Sequence, residues 1–105
     1  MRCFRNVSAY VAGAGITKTD IAFEGTVTAV GPAPAGCETV ELPSDAVVLP
    51  GFIDPHIHGA GGADAMDGSE EALATISRTL AEEGTTSFLA TTMTESPAAI
   101  LRALR

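Results

Sequence analysis

The stretch AVVLPGFIDPHIHG, Ala46 to Gly59, decides the fold and raises the functional question. Up to Asp54 it is apolar with little alternation, which is typical of a strand covered on both faces. We therefore predict a buried strand that begins at Ala46. His56 and His58 follow at its carboxyl end, so a pair of imidazoles is expected where this strand leaves its sheet.

The residues after this stretch predict alternating helices and strands. A helix is expected from about Ser69 to Glu83, with Asp67 or Ser69 as its N-cap and Gly84 just beyond its end. Its apolar face is predicted to contain Leu73, Ile76, Leu80 and Ala81. TTSFLATT predicts a second buried strand, and ESPAAILRALR opens another helix. This order is the βαβ pattern of parallel sheets and indicates an α/β fold.

The first part of the chain reads as short strands and turns. Arg2 to Val11 is rich in β-formers, and TDIAFEGTVTAVGP predicts a hairpin that turns at Glu24-Gly25. TVELP predicts another short strand. None of these segments carries a chemical motif. We therefore expect two domains, residues 1–45 and residues 46–105.

Composition and charge exclude several classes of protein. Apolar residues make up 46% and charged residues 18% of the 105, as in a globular domain. The net charge of −7 argues against nucleic-acid and anionic-membrane partners, which need clustered cations. No apolar run has the roughly 18 residues of a membrane helix. Cys3 and Cys37 have no CxxC pattern; free thiols in a cytoplasmic protein are expected, and a disulfide between them is the alternative.

His56 and His58 are the candidate metal ligands. In a strand, residues i and i+2 point to the same side, about 6.6 Å apart along the chain, so the two rings and Asp54 are expected to share one face. A polar run on a covered strand needs partners, and a metal ion supplies them. The alternative is a pair of hydrogen-bonded structural histidines. We predict metal binding by His56 and His58, and no catalytic or other cofactor-binding residue in this chain.

The glycine-rich segment HGAGGAD is read as a tight turn. Its G-x-G-G spacing lacks the third glycine of a dinucleotide fingerprint and the lysine of a P-loop. Asp64 and Asp67 are expected to act in the turn and as caps. Strand propensity accounts for Thr85, Thr86, Thr91 and Thr92 without a catalytic hydroxyl.

The segment VVLPGFIDPHIHG resembles the first barrel strand of the amidohydrolase superfamily, whose HxH motif ligates a divalent metal. The continuation GAGGADAMDGSEEALATISRTLAEEGTTSFLATTMTES is similar to the N-acetylglucosamine-6-phosphate deacetylase family within it. The resemblance implies the first strands of a (β/α)8 metal-dependent hydrolase barrel in residues 46–105. Residues 1–45 would then be part of the small β-sandwich that flanks the barrel.

That resemblance implies hydrolysis of N-acetylglucosamine 6-phosphate to glucosamine 6-phosphate and acetate. His56 and His58 match the HxH positions and would hold the first metal ion. The full-length subunit would contain one or two such divalent ions, zinc or iron. The implied partner is a phosphosugar, and the full-length enzyme is expected to be a homo-oligomer. Since a (β/α)8 barrel needs about 250 residues, the chain is interpreted as an N-terminal piece that is inactive alone.

Two other functions remain open. The HxH motif fits other amidohydrolases equally well, such as a dihydroorotase, an aminoacylase or a deaminase, although the downstream loop and strand fit them less well. A non-enzymatic role, as a metal-binding module or a non-catalytic remnant, is the alternative from a different class.

Overall fold

The computed structural model describes residues 1–105, which form two compact units, Met1–Pro50 and Gly51–Arg105. The division falls a few residues after the expected boundary between Asp45 and Ala46. The reason is that Val47 and Val48 pair with a strand of the first unit. Whether the two units correspond to a sandwich and a barrel stays a prediction.

The first unit is one mixed sheet. Its strands are β1 Arg2–Val11, β2 Gly15–Glu24, β3 Thr26–Val30, β4 Glu38–Thr39 and β5 Val47–Val48. The order β3-β2-β1 is antiparallel, while β4 and β5 both pair in parallel with β1. The predicted hairpin is confirmed, because Glu24 pairs with Thr26 around Gly25, whose φ is 74°. The buried core of this unit consists of Cys3, Ala9, Ile21 and Ala22.

Two strand predictions need correction. The strand expected to begin at Ala46 is wrong, because β5 ends at Val48 and the next strand begins only at Phe52. Pro50 between them has no N–H to donate to a ladder, which accounts for the break. In TVELP, only Thr39 belongs to a strand, β4, where it pairs with Cys3.

Asp20 closes a bulge in β1. The bulge places Asn6 at φ 48°, and the N–H of Asn6 donates to Oδ1 of Asp20 at 2.8 Å. The N–H of Ala33 donates to Oδ2 of the same carboxylate at 3.0 Å, and Arg5 Nη1 lies 3.7 Å from Oδ2. The N–H groups of Asn6 and Ala33, with the charge of Arg5, lower the pKa of Asp20.

The two cysteines are free thiols, as predicted. Cys3 is fully buried and Cys37 is half-buried. Burial raises the pKa of the Cys37 thiol, which disfavours the reactive thiolate form.

The second unit confirms the predicted βαβ order. Its elements are β6 Phe52–Ile57, β7 Gly59–Ala60, β8 Ala63–Asp64, a 3-10 helix Ala65–Asp67, α1 Glu70–Glu82, β9 Thr85–Ala90 and α2 Pro97–Ala103. Strands β6 and β9 pair in parallel, with α1 between them along the chain. Neither helix has the length and apolar character that crossing a bilayer requires.

Both helices begin at the residues that the sequence indicates, and α1 also ends where it was predicted to end. Ser69 caps α1 by accepting the N–H of Ala72 at 3.2 Å, and Gly84 follows the helix with φ 87°. Ser96 caps α2 in the same way, with Pro97 at the first helical position. The capping predictions are therefore confirmed, with Ser69 rather than Asp67 at the start of α1.

The buried face of α1 differs in part from the prediction. Ile76 and Leu80 are buried as expected, but the third buried residue is Ala72, while Leu73 is 44% exposed and Ala81 is exposed. The buried positions recur at intervals of four, so the face is one narrow row along the helix. The apolar character of Leu73 alone could not show that it lies beside this row.

The two strands predicted to be buried are open in this chain. Phe52 is 57%, Ile53 73% and Leu89 63% exposed. The sheet has only the two strands β6 and β9, so each has one neighbouring strand and one open edge. An apolar run shows that a strand suits burial, but it does not supply the elements that would cover it.

Candidate metal centre

The structure brings the two predicted ligands together. The ring centroids of His56 and His58 are 5.0 Å apart and their planes are at 89°. His56 is the second-last residue of β6 and is exposed, whereas His58 follows the strand and is half-buried. Two imidazoles therefore face each other at the carboxyl end of a parallel strand, where sites collect in α/β proteins.

A bulge, rather than even alternation, positions His56. The register between β6 and β9 shifts between Asp54 and Ile57, where β6 contains one extra residue. Pro55 lies inside this bulge and has no N–H, and the N–H of His56 donates to Oδ1 of Asp54 at 3.0 Å. The Asp54 carboxylate is thus engaged by the backbone of His56, and its place on the histidine face stays a prediction.

His58 is held on three sides by backbone groups. Its Nδ1 lies 2.9 Å from the carbonyl oxygen of Thr91, and its own carbonyl accepts the N–H of Ala65 at 2.7 Å. The N–H of Thr91 donates to the carbonyl of Ile57 at 2.8 Å. A carbonyl oxygen can only accept, so Nδ1 of His58 carries the hydrogen in this arrangement. The Nε2 lone pair of the neutral ring is then free to bind a metal.

The glycine segment forms the predicted tight turn. Gly61 and Gly62 connect β7 to β8 with φ values of 62° and 83°, the positive values of a two-residue hairpin turn. A Cβ at Gly59 would collide with the carbonyl oxygen of Ala63, so only glycine fits beside the returning strand. This turn directs the chain from His58 to α1.

Asp64 and Asp67 are turn and capping residues, as predicted. Oδ1 of Asp64 accepts the N–H of Met66 at 2.8 Å, and Oδ2 of Asp67 accepts the N–H of Asp64 at 2.9 Å. These reciprocal bonds form a capping box around the 3-10 helix. Both carboxylates are thereby engaged locally.

The donor set fits part of a metal site. Imidazole nitrogen is a common ligand for zinc and iron, and His56 and His58 offer two of them side by side. No group of three or more His, Cys, Asp or Glu side chains is arranged to hold an ion. Catalytic zinc sites use three protein ligands and an open position, so as ligands this pair would make up only part of such a coordination shell.

The contact of Thr91 with His58 could not be predicted from the sequence. Thr91 contacts His58 through its backbone carbonyl, so the interaction does not depend on the type of its side chain. The side chain instead donates from Oγ1 to the carbonyl of Leu89 at 3.0 Å. The only available signal is position, because Thr91 follows the carboxyl end of the strand that neighbours β6.

Residues 47–105 match the model of the Amidohydrolase family. The N-acetylglucosamine-6-phosphate deacetylase of Bacillus subtilis (strain 168) is 49% identical over 79 residues, which are 75% of this chain and 20% of that protein. The enzyme of the same name from Lysinibacillus sphaericus is 59% identical over 49 residues, 47% of this chain and 13% of the relative.

A third relative carries a different sugar in its name. The N-acetylgalactosamine-6-phosphate deacetylase of Escherichia coli O157:H7 is 33% identical over 82 residues, 78% of this chain and 21% of that protein. The chain thus spans about a fifth or less of the length of these relatives.

Solved structures agree with these relatives. The N-acetylglucosamine-6-phosphate deacetylase of Thermotoga maritima superposes with a TM-score of 0.75 at 32% identity, covering 98% of this chain and 26% of that one. The Pasteurella multocida enzyme gives a TM-score of 0.86 at 26% identity, covering 98% and 28%. The sheet-rich α/β fold of this chain therefore resembles part of these deacetylases.

Proposed function

This chain belongs to the amidohydrolase family, and from that membership we propose that it is part of a metal-dependent deacetylase. The proposed reaction is hydrolysis of N-acetylglucosamine 6-phosphate to glucosamine 6-phosphate and acetate. The observation that carries the proposal is the contact of His56 with His58 at the carboxyl end of β6, within the segment that matches the family. Relatives 49% and 59% identical bear the name of this activity.

His56 and His58 would hold a divalent metal ion, zinc or iron, in the complete site. Such an ion lowers the pKa of water to about 7 and polarises the carbonyl that is hydrolysed. The chain itself orients the ligands: Asp54 fixes the backbone of His56, and Thr91 fixes the ring of His58. The side chain of His56 is exposed in this chain.

We further propose that the second unit is the start of a (β/α)8 barrel and that the first unit is part of a flanking β-sandwich. The parallel pairing of β6 with β9 across α1 supports the first assignment, since this is the repeating element of such barrels. The five-stranded mixed sheet of Met1–Pro50 supports the second. A complete barrel has about 250 residues, more than the second unit supplies.

A galactosamine substrate is the second candidate. It is favoured by the Escherichia coli relative, whose identity of 33% covers 78% of this chain. The two sugars differ only in the configuration of one ring hydroxyl. Identities of 49% and 59% to relatives named for N-acetylglucosamine 6-phosphate support that sugar as the first candidate.

The test measures hydrolysis by the polypeptide encoded by the reading frame that contains this chain, expressed with zinc or iron. Released acetate is assayed for the two N-acetyl sugars, and ring opening to carbamoyl aspartate is assayed for dihydroorotate. N-acetylglucosamine 6-phosphate, N-acetylgalactosamine 6-phosphate and dihydroorotate are compared as substrates. We expect the first to be hydrolysed fastest and the joint substitution of His56 and His58 by Ala to abolish hydrolysis. Fast hydrolysis of dihydroorotate alone would contradict the proposal, and so would full activity of the double variant.

The 105-residue chain alone is expected to be inactive. Its two imidazoles fall short of the three protein ligands that a catalytic zinc site uses. Metal-dependent acetate release by the purified chain would show that this expectation is wrong.

A further inference from the structure

We propose that Thr91 is a positioning residue whose backbone carbonyl fixes His58 in the Nδ1–H tautomer, leaving Nε2 ready for a metal before the metal binds. The carbonyl oxygen lies 2.9 Å from Nδ1. The role in metal binding rests on the proposed function, whereas the tautomer itself can be tested without it.

Thr91 reaches His58 through two backbone groups. Its N–H donates to the carbonyl of Ile57 at 2.8 Å, which fixes the peptide that precedes His58. Its carbonyl accepts from the ring. Thr91, directly after β9, therefore orients both the peptide before His58 and the imidazole of His58. This restricts rotation of the ring.

The carbonyl of His58 completes the arrangement. It accepts the N–H of Ala65 at 2.7 Å, just beyond the glycine hairpin. The backbone is thus held on both sides of the ligand, and the half-buried ring has one hydrogen-bond acceptor available at Nδ1. Nδ1 of His58 is paired with a carbonyl oxygen, which can accept a hydrogen bond but cannot donate one. The fold therefore determines the tautomer of His58.

The side chain of His56 differs from that of His58. Its ring makes no hydrogen bond and is exposed, although its backbone N–H donates to Asp54. The ring of His56 is therefore free to exchange tautomers. The two proposed ligands form an asymmetric pair in which one is preset and the other adapts to the ion.

Presetting a ligand raises affinity because the ring is ordered before binding. Outer hydrogen-bond partners of ligating histidines also fix the tautomer, and their loss typically weakens metal binding about 10- to 100-fold. We expect an effect in this range when the Thr91 contact is lost.

The first test reads the tautomers directly. Long-range ¹H–¹⁵N NMR spectra of the labelled, metal-free 105-residue chain are recorded at about pH 8, above the ordinary His pKa of about 6.5. We expect His58 to carry its proton on Nδ1 and His56 to show a mixture of tautomers. A predominant Nε2–H form at His58, or averaging equal to that of His56, would overturn the proposal.

The second test compares Thr91→Pro with Thr91→Ala. The alanine variant keeps the carbonyl and the N–H, so it should retain the His58 tautomer and the Zn²⁺ affinity of the unmodified chain. The proline variant loses the N–H that holds Thr91 against Ile57, so its carbonyl should move away from the ring. Zn²⁺ titrations followed by the same NMR signals should show affinity about 10- to 100-fold weaker.

The outcomes separate this proposal from the proposed function. Unchanged Zn²⁺ affinity in a folded proline variant that has lost the tautomer would overturn the positioning role. If that variant does not fold, the tautomer of the unmodified chain still decides. A fixed His58 tautomer in a chain whose histidine signals do not respond to Zn²⁺ would support the hydrogen bond and contradict Zn²⁺ binding by the pair in this chain.

Discussion

Gly61 lies directly against Thr79 of α1, so closely that a Cβ at Gly61 would collide with the Oγ1 atom of that threonine. Gly62, the next residue, has open space where its Cβ would be. Both glycines have positive φ, 62° and 83°. The hairpin after His58 therefore packs onto the helix at one of its two turn residues.

Gly61→Ala is expected to destabilise the second unit more than Gly62→Ala. Each substitution costs about 1 kcal/mol for a non-glycine residue at positive φ, and Gly61→Ala adds the collision with Thr79. The free energy of unfolding is measured by urea titration. In the double variant with Thr79→Ala, part of the additional loss should be recovered. Equal losses for the two glycines would contradict the close contact.

Ile76→Ala should be the most damaging substitution in α1. Ile76 is 1% exposed, and truncating a buried isoleucine typically costs about 2–5 kcal/mol through lost burial and the remaining cavity. The matched control is Leu73→Ala, at a side chain 44% exposed, for which we expect less than about 1 kcal/mol. Urea unfolding followed by circular dichroism measures both. Similar losses would show that the helix buries a different face.

Asp20→Asn should remove an acid-sensitive part of the stability. The pKa of Asp20 is lowered in the fold, so its contribution is fully present above the ordinary value of 3.8. It is lost as the pH falls through the lower pKa of the folded state. We expect a lower Tm for the variant at pH 7 and a difference from the unmodified chain that shrinks below about pH 4.

The control for Asp20 is Asp45→Asn, because Asp45 is exposed and makes no hydrogen bond or ion pair. Its Tm should follow that of the unmodified chain across the same pH range. A constant difference between Asp20→Asn and the unmodified chain at all pH values would mean that ionisation of Asp20 does not contribute.

Replacement of either histidine should abolish specific Zn²⁺ binding to the chain. The two rings are 5.0 Å apart, and no three-residue cluster offers an alternative site. Zn²⁺ titration of His56→Ala and His58→Ala is monitored by NMR, with Asp45→Asn as a carboxylate control expected to bind as the unmodified chain does. Undiminished binding in both histidine variants would exclude the pair as ligands.

The helices could be predicted because their signals are local. Ser69, Gly84 and Ser96 act on backbone groups within a few residues of themselves, so their types indicate where α1 and α2 begin or end. The histidine contact was predicted for a related reason, since residues two apart in a strand are neighbours. The rings are in contact even though a bulge at Pro55 interrupts the regular strand.

Distant pairings could not be read from the sequence. The apolar character of Val47 and Val48 suits any strand, and only their pairing with Ser8 and Ala9 assigns them to the first unit. The exposure of Ile53 likewise depends on which elements lie beside β6. The Thr91 carbonyl is the extreme case, because every residue has one and only the fold determines what it meets.

The hydrogen bond between His58 and Thr91 joins residues 33 positions apart in the chain. Closing a loop of that length has an entropic cost that local turns do not have, so this bond is expected to form after the glycine hairpin and α1. During synthesis, both histidines would leave the ribosome well before the carbonyl that orients one of them. An ion that meets the nascent chain early would therefore encounter two mobile rings. The fixed orientation of His58 would arise only once β9 has paired with β6.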